Sequence, residues 1–423
     1  MDKDDPRYAS YLQILREELI PAMGCTEPAA IAFAAACARE TLGVCPERVC
    51  IEVSGNIVKN VKSVVVPNTG GLKGIKAAAA AGIVAGNADK KLEVIASVDA
   101  VQRKAIEAFL EKTPMDVRMS KTGKIFDISI GVFAGSSSAK VRITDFHTNI
   151  SRIEKDGMLI FEQAESQKPE ETDRELLNVA GALDFAETVR LDDVRPLIDR
   201  QIEYNSAISA EGLAGEYGAN IGKVLLNNYG GGIQVRAKAA AAAGSDARMN
   251  GCEMPVVIVS GSGNQGMTTS LPVIEYAREL AVEHEKLIRA LVLANLITIH
   301  LKTGIGRLSA YCGVVSAGAA AGAGIAYLHG GGLEEISHTI VNALAIVSGI
   351  VCDGAKASCA AKIAAAVDAG ILGYTMFKNG QQFYGGDGII ACGLEKTIKN
   401  ISYLGKEGMR KTDEEIIQLM LEE

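Results

Sequence analysis

Three cysteines in the C-terminal half, Cys312, Cys352 and Cys359, sit in small-residue surroundings where sulfur is the reactive chemistry on offer. The segment VCDGAKASCA places Cys352 and Cys359 seven residues apart. On one α-helix that interval is two turns, so both thiols share a face; a break at Gly354 would instead leave a loop to bring them together. Cys312 comes from a separate stretch, RLSAYCGVVSAGAAAGAGIAYL. Three thiolates from two segments suit a soft metal or an iron–sulfur cluster, both of which prefer sulfur ligands. The competing reading is packing, because free cysteine is often a small buried hydrophobe. No C-x-x-C pair of zinc or ferredoxin spacing is present, so spacing alone leaves both readings open.

A fourth cysteine has a different setting. The stretch PAMGCTEPAAIAFAAACARETLG turns at Gly24–Pro28 and predicts a helix over 29–42, with Thr26 as N-cap and Pro28 in the first turn. Cys25 then stands at a helix N-terminus, where the dipole lowers a thiol pKa, and it is the least core-like of the nine cysteines. Cys37, Cys45 and Cys50 read as packing residues, and Cys252 and Cys392 as core or loop thiols.

The second polar concentration is SGSGNQGMTTSLP at 260–272, which follows the strand-like run 254–259 and precedes a helix. Its glycines let backbone donors approach an anion, and Ser262, Asn264, Gln265, Thr268 and Thr269 are candidates to grip a substrate carboxylate. It is neither a Walker loop nor a dinucleotide-binding fingerprint. Its S-G-N-x-G resembles the loop that faces pyridoxal phosphate in one fold of amino-acid lyases. A plain capped turn is the structural alternative. His147, Lys302 and Arg307 are weaker candidates, since lone side chains of these types usually satisfy local hydrogen bonds.

The elements that must position these groups fall into three stretches. Residues 1–45 read as two helices carrying Cys25 and packing on a catalytic domain, the first over 5–19 with Tyr8, Leu12, Leu15 and Leu19 at helical spacing. Residues 46–170 alternate short β-branched runs with two helical pieces, an inserted α+β domain that ends in the polar linker EQAESQKPEETDRE. Residues 171–423 read as a large Ala/Gly-rich helical domain, including one long apolar helix from EYAREL to IRALVLANLITIHLK. The fold class expected is therefore α+β.

Composition narrows the partners. The chain has 423 residues, 48% apolar and 22% charged, as a globular enzyme does. A net charge of -8 argues against a nucleic-acid or anionic-membrane surface. The uncharged run Leu308–Leu328 has the length of a membrane span, but its Ala and Gly give little transfer energy. A buried core helix is the preferred reading. The charged N-terminus shows no secretory signal, and nine cysteines are then most simply reduced thiols in the cytoplasm. Gly/Ala-rich helical surfaces at this size make a homodimer the expected assembly.

Together MGCTEP at 23–28, SGSGNQGMTTSLP at 260–272, AYCG at 310–313 and CDGAKASC at 352–359 make the chain resemble the L-cysteine desulfidase family, related to the iron–sulfur L-serine dehydratases through their alpha portion. The resemblance spans essentially the whole chain. It implies a [4Fe–4S] cluster held by Cys312, Cys352 and Cys359, with Cys25 as the catalytic base. It further implies β-elimination of L-cysteine to hydrogen sulfide, ammonia and pyruvate, or dehydration of L-serine by the same steps. The serine dehydratases space their second and third ligands further apart and close the site with a cysteine near the C-terminus. Here the last cysteine is Cys392, with 31 residues beyond it. A pyridoxal-phosphate lyase and an amino-acid binding protein are the other readings.

Overall fold

The structure is a computed structural model and describes residues 1, 3–163, 172–306 and 308–422. Helix α1 (Pro6–Glu18), strand β1 (Pro21–Met23) and helix α2 (Thr26–Leu42) lead into β2 (Arg48–Val53), α3 (Gly55–Val61), α4 (Gly74–Ala85) and α5 (Ala100–Lys112). Five strands follow: β3 (Met115–Met119), β4 (Asp127–Ala134), β5 (Ser137–Thr144), β6 (Ile150–Lys155) and β7 (Met158–Glu162). Then come α6 (Val179–Thr188), α7 (Leu191–Ala214), α8 (Ile221–Tyr229), α9 (Ile233–Met249), β8 (Pro255–Val257), α10 (Gly263–Glu279) and α11 (His284–Thr303). The chain finishes with α12 (Gly313–Leu328), α13 (Leu333–Val347), α14 (Cys359–Lys378), α15 (Leu394–Tyr403) and α16 (Arg410–Glu422). The class is mixed α+β, as the sequence predicts.

The six-stranded sheet has the order β3-β2-β4-β5-β6-β7, parallel only between β2 and β3. Two helices, α2 and α4, cover one face of it and share its hydrophobic core. They approach closely because Gly82 has no side chain: a Cβ there would lie 2.1 Å from the Ala32 carbonyl oxygen. This corrects the expectation that the helices of 1–45 pack together on the helical domain. Only α1 does so, stacking Tyr11 on Phe185 at 5.5 Å, whereas the alanines of α2 serve the sheet. Of the linker out of the sheet, residues 164–171 lie outside the described residues.

The helical core centres on α12, which is apolar on all sides and buried. It crosses α14 at backbone contact: a Cβ on Gly322 would meet the Gly370 oxygen at 2.5 Å, and one on Gly370 the Gly318 oxygen at 2.2 Å. The reading of Leu308–Leu328 as a core helix therefore holds. Helix α14 is long and apolar enough to cross a membrane by length and composition, and half of that stretch is buried in the protein. The single long helix expected through 275–302 is instead α10 and α11, separated where Ala281 takes a left-handed backbone (φ 48°).

A second sheet of only three residues per strand joins the two cores. β1 pairs antiparallel with β8, Ala22 opposite Val256. Asn205 on α7 fixes β8, accepting from Val257 N at 2.9 Å and donating to Ser270 Oγ on α10 at 3.0 Å. Strands this short carry no readable alternation: the sequence reading takes 254–259 as strand-like but assigns no strand to 21–23, where it places only the turn that starts at Gly24.

Asp246 on α9 is buried and accepts from Gly222 N at 3.0 Å, while its other oxygen has no partner. Burial pushes its carboxyl up to about 6, against the lowering by the Gly222 and Ile221 N–H groups. A carboxyl raised in the fold stabilises fully at low pH and loses that contribution as pH rises through 6. Asp246→Asn should match the wild type near pH 4 and be more stable at pH 8, by about 3 kcal/mol at most. Urea unfolding at both pH values checks this.

Candidate active site

One cavity gathers Cys25, Cys312, Cys352 and Cys359, together with Ser262, Asn264 and Gln265. It lies at the seam of the two cores. Each cysteine reaches it through a local feature of the chain. An antiparallel bridge between Tyr311 and Val351 sets Cys312 beside Cys352: Cys312 N donates to Ile350 O at 3.1 Å, and Cys352 N to Ala310 O at 2.6 Å. Cys312 caps α12, and Cys359 is the first residue of α14. Cys352 and Cys359 therefore do not share a helix face. Gly354 (φ +92°) turns the chain between them, and its closeness to the Lys59 carbonyl (2.0 Å from a built Cβ) admits only glycine.

Cys312 and Cys352 are hydrogen-bonded through their thiols, and the two are shifted in opposite directions. Cys352 is drawn down to about 5, first by the hydrogen bond from the Cys312 thiol and then by the charges of Lys59 and Lys302 and the Gly354 N–H. The Cys312 thiol is correspondingly raised. Cys359 donates to Gly354 O at 3.6 Å, and burial raises its thiol. Of the cavity's sulfurs only Cys352 is thus favoured in its negative form, beside the charges of Lys59 and Lys302. Lys59 is fully buried, lines the cavity and pairs with Asp413, which ties the C-terminal helix α16 to α3. Removing either partner of such a pair would leave an uncompensated buried charge.

Among the described residues, no three His, Cys, Asp or Glu side chains stand close enough to hold a single metal ion. A four-iron cluster asks for something else, because each thiolate takes its own iron. Three cysteines round one cavity, with Lys59, Lys302 and Lys362 also lining it, fit such a group in donor chemistry and charge.

Cys25 departs from expectation in two ways. It is itself the N-cap of α2, without a side-chain capping bond, and Thr26 is the first helical residue. Its thiol is not lowered: burial pushes it up to about 12, and only the Arg248 charge opposes that. The helix dipole is outweighed because the sulfur is sealed from water and faces a carboxylate. Cys25 Sγ donates to Glu27 Oε2 at 3.6 Å. Glu27 is buried and held by Thr26 Oγ1 at 3.0 Å and Asn60 Nδ2 at 3.2 Å. The sequence reading missed Glu27 as a functional group, although it stands inside MGCTEP.

The Gly-rich stretch is less of a loop than expected. Ser260 and Gly261 turn with positive φ (49° and 77°), Ser262 caps α10, and everything from Gly263 is helical. Ser262, Asn264 and Gln265 line the cavity. Thr268 and Thr269 do not: Thr268 Oγ1 donates to Asn264 O at 2.6 Å, and Thr269 meets Thr298 Oγ1 at 2.8 Å inside the helical core. His147 and Lys302 do line the cavity, His147 edge-on to Phe126 at 4.7 Å. Arg307 lies outside the described residues. Of the remaining cysteines, Cys252 is buried but Cys45 and Cys392 are exposed, so Cys45 is not a packing residue.

A buried carboxylate, thiols and amides converging on one cavity are the make-up of an enzyme active site. Residues 89–418 match the serine dehydratase alpha chain family, and the chain belongs to that family, which makes it a dehydratase-like lyase. A UPF0597 protein of Desulfitobacterium hafniense (strain Y51) is 63% identical over 423 residues, covering 100% of this chain and 98% of its own. A UPF0597 protein of Lachnoclostridium phytofermentans is 52% identical over 98% of this chain and 100% of its own, and one of Treponema denticola is 48% identical over 100% of both. Cys25 and Glu27 precede the matched segment.

Proposed function

We propose that this chain is an iron–sulfur lyase that eliminates hydrogen sulfide from L-cysteine, working in the reducing cytoplasm where free thiols persist. The observation that carries this reading is the convergence of Cys312, Cys352 and Cys359 on the cavity that also holds Cys25. Membership of the serine dehydratase alpha chain family, known for iron–sulfur enzymes, supports it. The three cysteines would hold a [4Fe–4S] cluster, which when bound supplies a Lewis acid at an iron no thiolate occupies.

The chain's own residues do the rest. Asn264 and Gln265 bind and orient the amino acid in the cavity. Glu27 Oε2 takes the Cys25 thiol proton, and Cys25 Sγ, now a thiolate, takes the proton from the substrate Cα. The electron pair left on Cα forms the Cα–Cβ double bond as the Cβ–S bond breaks, and HS⁻ leaves. Aminoacrylate remains, tautomerises to the imine and takes up water to give pyruvate and ammonia. Lys59 and Asn60 of α3, both buried, line the cavity and help to keep water from the nascent carbanion.

Dehydration of L-serine by the same residues is the second reading, favoured by the description of the family itself. The seven-residue interval from Cys352 to Cys359, and an exposed Cys392 outside the cavity, favour the desulfidase branch. The test is iron, acid-labile sulfide and a visible spectrum on protein purified without oxygen, followed by product assays. About four irons per chain and sulfide release from L-cysteine are expected. No iron after anaerobic reconstitution would overturn the reading; pyruvate from L-serine alone would reverse the substrate order.

A further inference from the structure

We propose that Arg248, with Asn264, Gln265 and the N-terminus of α10, forms the subsite for the substrate's α-carboxylate. This rests on the reading of the cavity as an amino-acid lyase site. Arg248 ends the Ala-rich helix α9 and is only 2% exposed, yet it lines the cavity. Its Nη1 donates to Asn264 Oδ1 at 3.3 Å, and its Nε has no partner. Among the described residues no carboxylate pairs with it. Asp246, two residues earlier, turns to Gly222 N, and Glu27 is engaged by Thr26, Asn60 and Cys25.

A buried guanidinium without a counter-ion is costly, and an anion that enters the cavity removes that cost. Its planar fork matches a carboxylate in particular. The backbone is shaped for it: a Cβ on Gly263 would lie 2.3 Å from Arg248 Nε, so glycine there lets the guanidinium lie against the first turn of α10. That turn adds N–H groups and the positive end of a 17-residue helix. On the other side Gln265 rests on Gly313, next to Cys312, with Oε1 free to accept from the substrate ammonium. Cys25 lines the same cavity and packs against Met249, the neighbour of Arg248, so a carboxylate held here brings Cα to the side of the cavity where that sulfur lies.

The experiment is calorimetric binding of propionate and of L-alanine, which lacks a leaving group, to protein purified without oxygen. Kinetics with L-cysteine run alongside. Arg248→Met is expected to weaken both ligands at least 30-fold and raise KM by about 100-fold, with kcat within about fivefold and iron content unchanged. Arg248→Lys should recover part of the affinity, since it restores charge without the fork. If Arg248→Met does not fold, Asn264→Asp places a carboxylate beside the guanidinium at nearly constant shape and should weaken propionate as strongly. Cysteamine, which has no carboxylate, should not displace propionate. Propionate binding unchanged in Arg248→Met or Asn264→Asp overturns the subsite. Propionate bound by the wild type and lost in Arg248→Met, in a protein that eliminates nothing from any amino acid, overturns the lyase reading and leaves the subsite standing.

Discussion

Cys312→Ala, Cys352→Ala and Cys359→Ala are each expected to purify without iron and without detectable turnover, while keeping the helical circular dichroism of the parent. The expectation follows from position. Each sulfur enters the cavity from its own anchor: the cap of α12, the bridge at Val351 and the first turn of α14. None can replace another. Alanine fills most of the space of cysteine, and Cys352 and Cys359 are only half-buried, so the fold loses little. Full iron retention in any one of the three, measured by metal analysis on anaerobic protein, would remove that cysteine from the ligand set.

Glu27→Gln is expected to lower kcat by about 10²–10⁴-fold, the usual worth of a positioned proton acceptor, with iron content unchanged. Glutamine keeps the shape and can accept from Asn60 through its one oxygen, while its amide donates to Thr26 Oγ1, whose proton goes to Gly261 O; it cannot take the Cys25 proton. The pH profile separates this from simple misplacement. With Cys25 pushed up to about 12 by burial, solution hydroxide must remove the proton once the carboxylate is gone. The kcat of Glu27→Gln should therefore climb tenfold per pH unit between pH 7 and 9, while the wild type stays flatter. Cys25→Ser should lose turnover without that slope. A pH-independent Glu27→Gln enzyme of wild-type rate would refute the relay.

What was legible in the sequence was chemistry with a local signature. The cysteines, the capped glycine turn and the small-residue helix around α12 can be read because residue type and spacing suffice. The rest depended on distance in the chain. Arg248 sits in AAAAAGSDARM, where the readable clue is a cation inside a helix too apolar to be solvated; its lack of a partner appears only when Asp246 is seen to face Gly222. Glu27 reads in sequence only as part of the Gly24–Pro28 turn, because Asn60, which holds it, lies 33 residues away. Cys25 was misjudged because a helix dipole is visible in sequence and desolvation is not. Thr268 and Thr269 were placed in a loop, since nothing local shows that α10 begins at Gly263 and carries Pro272 within it.

Where α12 and α14 touch main chain to main chain at Gly318, Gly322 and Gly370, the relative placement of the two helix starts that carry Cys312 and Cys359 is set by peptide atoms, and each sulfur keeps only its own χ1. Most of the ordering entropy of these two thiols is therefore spent during folding. A ligand gripped by both, such as the proposed cluster, would have to match a span that side-chain drift elsewhere in the core cannot retune.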